Sequence, residues 1–361
     1  MKHTALFNTA LVAGLLFSTS ALADGIRASL EMSKQQYAAN EDVTVRVTLT
    51  NDEKVPVKVL KWYTAADGVE ESLFKVSVNG EARPYLGAHY KRPAPETKDY
   101  IKLKAGESVS YEVELSSLYD MTEQGSYDIA YSVSSLQLFA PNPGQQQKLA
   151  RLGIAGIQSG SVSFFHDGIE AKGAGKGQPG GGTGGGSTDG VSFTGRCSNS
   201  QMSDTLAGLA AAKSMAADAK GYLAGNNNPS ASVRYNTWFG AFNTSRWNTV
   251  SGNFSSIDSA LNTQPLTFDC SCKKSYYAYV YPTQPYKIYL CNAFWSAPVS
   301  GTDSKGGTIV HEMSHFNVVA GTDDIVYGQS GAKNLAQTNP DQAIQNADSH
   351  EYFAENTPFQ N

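Results

Sequence analysis

The stretch from Gly173 to Gly190, GAGKGQPGGGTGGGSTDG, decides how this chain can fold. Glycine loses the most backbone entropy on ordering and brings no side chain to a core. A segment this rich in it behaves as a flexible linker and a natural place for proteolytic nicking. The 361 residues must therefore fold as two cores, one on each side. The expected division is 1–23 as an export signal, 24–168 as a β-sandwich, 169–190 as the cleavable linker and 191–361 as a mostly helical domain.

The N-terminal residues support the first of these. Lys2 and His3 make a basic start, and the apolar run Ala10 to Phe17 follows. Ala21-Leu22-Ala23 then offers the small-x-small pattern of a cleavage site before Asp24. The run is short of the ~20 residues a membrane span needs, and no other segment is long and apolar enough. The expectation is a secreted protein with no membrane partner. Cys197, Cys270, Cys272 and Cys291 all lie in the second half, and an even number in an exported chain suggests two disulfides. Cys270 and Cys272 are too close on a strand to pair. Two pairings remain, of which Cys197–Cys270 with Cys272–Cys291 is favoured. A net charge of -5 argues against a nucleic-acid binder.

Residues 24–168 alternate apolar and polar side chains in short runs. Val43 to Leu49, Val57 to Leu60, Phe74 to Val78, Tyr100 to Leu103, Ser108 to Leu115 and Tyr127 to Val133 are expected as strands, with Asn79-Gly80 as a turn. The series suggests an immunoglobulin-like antiparallel sandwich. This half shows no catalytic constellation, and His89 and His166 read as isolated surface or packing residues. An exported β domain joined by a cleavable linker to an enzyme looks like a propeptide, acting as an intramolecular inhibitor or folding aid.

Beyond Cys197 the periodicity becomes helical. Helices are expected over Gln201 to Ala224, Ser232 to Phe242, Val250 to Leu261, Lys305 to Val319 and Pro340 to Asn356. Strands are expected at Tyr276 to Tyr281 and Lys287 to Cys291. His311-Glu312-Met313-Ser314-His315 lies on the fourth helix. A spacing of four puts both imidazoles on one face, where they can supply two corners of a tetrahedral zinc site. Glu312 can then serve as general base toward a metal-activated water. No glutamate intervenes before Glu351, but Gly321-Thr322-Asp323-Asp324 follows the helix. A glycine turn there would swing the acidic pair back toward the histidines.

HEMSH followed by GTDDIVYG resembles the signature of the aspzincins, the deuterolysin and peptidyl-Lys metalloendopeptidase group. The resemblance covers roughly residues 195–361. It implies a zincin-type α+β domain with one catalytic zinc and no structural metal. It makes Asp324 the third ligand beside His311 and His315, leaves Asp323 solvated or behind the ligands, and gives Tyr327 an oxyanion-donating role. It also supports the favoured cysteine pairing. Asp348 and Glu351, three apart on one helical face, resemble the acidic pair lining the lysine pocket of the peptidyl-Lys branch. His350 points elsewhere.

The function expected is a zinc endopeptidase made as a zymogen, cutting protein or peptide substrates before lysine and acting as a monomer. Lys172 and Lys176 in the linker are then candidate self-processing positions. Two competing classes are a zinc amidase acting on cell-wall peptides and a β-sandwich binding protein with an inactive enzyme domain. No residue assigns a toxin role.

Overall fold

The computed structural model describes residues 16–17, 25–140, 155–169, 187–188 and 190–361. The expected export signal is thus almost wholly outside the described residues, as is the Gly-rich linker with Lys172 and Lys176.

The first half is β-rich. Strands Ile26–Met32, Thr44–Asn51 and Ser108–Glu114 form an antiparallel sheet. A second sheet runs in the order Gln36–Tyr37, Val162–His166, Gly125–Ser135, Phe74–Val78, Glu81–Arg83. Strict alternation of buried and partly exposed residues along Ile26–Met32 gives each strand one apolar face. Leu30, Val47 and Leu49 from the first sheet join Val76, Tyr127 and Ile129 from the second in one core. Asn79 and Gly80 both have positive φ, 51° and 87°, the backbone that a tight hairpin between Phe74–Val78 and Glu81–Arg83 requires. The expected strands are present within a residue or two at each end.

In the second half, a mixed sheet carries Val191–Thr194, Leu266–Asp269 and Lys287–Leu290 in parallel, with Ala278–Val280 antiparallel at the side. Its outermost strand belongs to the other half of the chain: His89–Lys91 pairs antiparallel with Ala278–Val280. Cys197–Cys270 and Cys272–Cys291 are the two disulfides. The second ties the segment entering strand Ala278–Val280 to the end of its neighbour Lys287–Leu290.

The helix Asn199–Gly225, opened by a capping box between Ser198 and Gln201, packs along Lys305–His315. Their approach is close because Gly306 faces the contact. A Cβ there would stand 2.9 Å from Ala211 Cβ and 3.1 Å from the Ala212 nitrogen.

Three expectations need correction. The Lys305 helix ends at His315, not Val319, because Phe316 turns extended and its carbonyl collects the amides of Val319, Ala320 and Gly321. The span expected as one helix from Pro340 is two, Pro340–Ala343 and Ala347–Glu355. The break at Asn346 is used: its side-chain oxygen accepts the amides of Ile325 and Val326, and Asp323 exchanges backbone hydrogen bonds with Gln345 and Ala347. A further helix, Gly328–Thr338, and the strands Ile26–Met32, Val162–His166, Val191–Thr194 and Leu266–Asp269 were not expected.

The Gly306→Ala variant should lower stability by about 1–3 kcal/mol through overpacking. Thermal unfolding followed by far-UV circular dichroism should show the transition midpoint moving down by several degrees.

Candidate active site

Every residue of helix Lys305–His315 is buried, so His311, Glu312 and His315 face protein and not solvent. Their ring orientation is set from behind. His315 Nδ1 lies 2.7 Å from the Thr322 carbonyl oxygen, and His311 Nδ1 lies 2.9 Å from Asp348 Oδ1. The Thr322 carbonyl takes the His315 Nδ1 proton and leaves a lone pair on its Nε2, and the Asp348 carboxylate close to His311 Nδ1 favours the same tautomer there without a well-formed hydrogen bond. The two Nε2 atoms are 3.1 Å apart.

The turn after the helix brings Asp324 to the same point. Gly321 adopts φ 59°, and the Thr322 amide donates to the Ser314 carbonyl. Asp324 Oδ1 is then 3.1 Å from His311 Nε2, and Oδ2 is 3.4 Å from His315 Nε2. Three electron-rich groups converge in a buried place, and neither Asp324 oxygen accepts a well-formed hydrogen bond. Such a set is costly to bury without a cation between its members. Tetrahedral bonds of about 2.0–2.1 Å require donor atoms about 3.3 Å apart, which these separations match. The residues present therefore fit a zinc-sized ion. Asp323 beside them is exposed.

Glu312 is fully buried, and burial raises its carboxyl to about 7 against the pull of His311 and His315. Its Oε1 accepts the backbone amide of Lys91 at 3.3 Å. The Tyr327 hydroxyl accepts from Arg92 Nη1 at 2.6 Å and donates to Glu71 Oε1 at 2.8 Å. Gln137 grips the Tyr327 backbone from both sides, at 2.8 Å to its amide and 2.7 Å to its carbonyl.

Asp348 and Glu351 lie on one face of helix Ala347–Glu355 and are both fully buried. Between them sits the ammonium of Lys91, 2.6 Å from Glu351 Oε2 and 3.6 Å from Asp348 Oδ1. Asp303 Oδ1 is 3.5 Å away and the Tyr277 ring 4.9 Å. Burial alone would lower the Lys91 pKa, but Asp348 and Glu351 reverse this and hold it well above the usual lysine value. Arg92 is enclosed by the rings of Trp62, Tyr90 and Tyr276 at 4.9–5.0 Å and pairs with Glu70 and Glu71.

Side chains and backbone of the β half therefore reach this cluster, which its sequence did not announce. His89, expected as an isolated surface or packing residue, has its ring centre 5.0 Å from that of His315. Burial, joined by the neighbouring His315, lowers its imidazole to about 3, so it is neutral. His166 is the packing residue it was taken to be, buried with Nε2 3.0 Å from the Glu41 carbonyl and Nδ1 accepting from Gly168. His350 turns away to Asn253 and the Asn346 carbonyl. Asp303 and Tyr277 escaped the sequence reading: the first looks like an ordinary helix-leading residue, the second is one of 19 tyrosines.

Residues 224–355 match the family model described as lysine-specific metallo-endopeptidase, the aspzincins. An extracellular protease of Aeromonas hydrophila is 48% identical over 358 residues, covering 97% of both chains. A peptidyl-Lys metalloendopeptidase of Pleurotus ostreatus is 55% identical over 164 residues, covering 45% of this chain and 95% of its own length. That of Armillaria mellea is 33% identical over 329 residues, covering 89% of each. A solved zinc peptidase from Grifola frondosa is 46% identical, with a TM-score of 0.44, covering 46% of this chain and all of its own. With the convergent His311, His315 and Asp324 and a full-length relative at this identity, the chain belongs to the aspzincin family of metalloendopeptidases.

Proposed function

We propose that the chain is the latent precursor of an extracellular zinc endopeptidase that cuts on the amino side of lysine, and that residues 24–168 are its inhibitory propeptide. One observation carries this: a lysine of the β half lies fully buried against Glu351 and Asp348, with its amide at Glu312. A pocket that encloses one lysine ammonium among three carboxylates has the shape and charge to select another. The two facing sheets fit the immunoglobulin-like sandwich expected for the propeptide.

Two imidazole nitrogens and one carboxylate, closed on the protein side, suit a single catalytic zinc with one corner left for chemistry. When bound, zinc supplies a Lewis acid that polarises a carbonyl and lowers the pKa of water from 15.7 toward about 7. Glu312 takes the proton of the attacking water and delivers it to the departing nitrogen, which a substrate presents where the Lys91 nitrogen now lies 3.3 Å from Oε1. Tyr327, once released from Arg92 and Glu71, donates to the developing oxyanion, a contribution of about 3–4 kcal/mol by comparison with other such donors. Asp348 has two duties, since the oxygen that meets the lysine also lies behind His311.

Secretion is supported by the full-length Aeromonas relative, named an extracellular protease, and by two disulfides, which persist in oxidising compartments. Ala171–Lys172 and Gly175–Lys176 remain the candidate processing bonds, because each offers a lysine in or beside the glycine-rich segment that joins the two halves.

Digestion of an unstructured protein by the mature enzyme, read by mass spectrometry, should give fragments beginning with lysine, and a chelator should abolish them. Fragments with no lysine preference would remove the roles of Asp348 and Glu351. Asp324→Ala should copurify with little zinc by elemental analysis. Asp348→Asn should lose lysine preference and also weaken metal retention by about 10–100-fold. In the precursor, Lys91→Ala should raise the basal rate on a lysine peptide, whereas a rate unchanged from the parent would argue against a pocket-filling propeptide.

A further inference from the structure

The strand His89–Lys91 presents a lysine to the acidic pocket and an amide to Glu312, yet a strand so placed should be cut at Tyr90–Lys91. Burial of Glu312 and His315 keeps bulk water from them, and the strand itself can add to that protection. A cleft of about 820 Å³ runs between the two halves to His315 and Asp324, lined also by Tyr85, Glu71 and Asp323.

His89 stands there. Alternation along the strand puts side chains 89 and 91 on the same face, so the lysine in its pocket carries the imidazole to the metal-ligating cluster. Donor atoms of His89, His315 and Asp324 lie within 4.8 Å of one another. Only 13% of the His89 side chain is exposed, and its Nδ1 is 3.9 Å from the exposed Asp323 carboxylate. Among the described residues it has no other charged neighbour in ion-pair range.

We propose that His89 supplies the fourth ligand to the zinc of the latent chain, filling the corner that hydrolysis needs free. This rests on the zinc reading above and adds a residue from outside the catalytic half. A substrate-like strand is thereby an inhibitor because it brings its own imidazole to the place of the water. Catalytic sites keep one position open and structural sites close all four; His89 converts the first kind into the second.

The test uses the full-length chain carrying Glu312→Gln, which blocks self-processing, loaded with Co²⁺. Its visible spectrum should be that of a closed four-coordinate site, unchanged between pH 6 and 9. Adding His89→Ala should alter the band shape, introduce a pH-dependent transition and speed release of Co²⁺ to a chelator by about ten-fold or more. His89→Gln keeps the size and hydrogen-bonding capacity of the side chain but is a poor ligand. It should behave like His89→Ala if His89 ligates, and like the parent if His89 only packs. Spectra and release rates equal to the parent in both variants, with circular dichroism unchanged, would overturn the assignment. If the parent binds no Co²⁺, the zinc reading falls and this inference with it. Should the mature enzyme fail to cut before lysine while the Co²⁺ spectra respond as expected, only the specificity is lost.

Discussion

The ammonium of Lys91, fully buried among Glu351, Asp348 and Asp303, is the interaction on which the arrangement of the two halves depends. An isolated charge in such a place costs several kcal/mol in lost hydration, and so do the fully buried carboxylates of Glu351 and Asp348 that face it. Neither partner is satisfied without the other. The β half could not withdraw its lysine without leaving two buried acids behind, and helix Ala347–Glu355 could not shift without stranding the ammonium. Position along the strand is fixed by the same contact. With Lys91 seated, Arg92 falls between Trp62 and Tyr276 and His89 falls over His315.

Backbone pairing reinforces this. An edge strand such as Ala278–Val280 offers unpaired amides and carbonyls, which attract any extended chain. Here the edge is covered by His89–Lys91, and the Tyr277 amide donates to the Lys91 carbonyl. The Cys272–Cys291 disulfide stiffens the segment that leads into this edge, and Cys197–Cys270 bridges the ends of the two strands beyond Lys287–Leu290. Main-chain bonds supply attraction that any sequence could provide, and the side chains at 89, 91 and 92 supply the selectivity.

What the sequence disclosed follows the reach of its interactions. The histidine pair, Glu312 and the Asp348–Glu351 pair sit at helical spacings, so their shared faces can be read from a dozen residues. The return of Asp324 was legible because a glycine announces the turn. Helix ends were less so: Phe316 stops its helix because of a turn whose purpose is to seat Asp324, and Asn346 breaks another to receive the amides of Ile325 and Val326. Least legible were His89, Lys91 and Arg92. Ala-His-Tyr-Lys-Arg has no periodic pattern, and the carboxylates of Asp303, Asp348 and Glu351 and the imidazole of His315 that it meets lie more than 200 residues further along. A short, mostly polar strand that is completed only by another domain's sheet leaves no local hydrophobic signature.

The glycine-rich junction acquires a different significance once the docked strand is considered. While the chain is continuous, the β half meets its site as a tethered ligand at an effective concentration of order millimolar. A cut anywhere in the junction breaks the tether but none of the contacts made by Lys91, Arg92 or the paired edge. If the β half inhibits as proposed, inhibition then changes from a first-order property of one molecule to a second-order equilibrium between two. Dilution into a large external volume, or digestion of the released sandwich, becomes the event that frees the site, so activity would lag behind the cut and depend on how crowded the surroundings are.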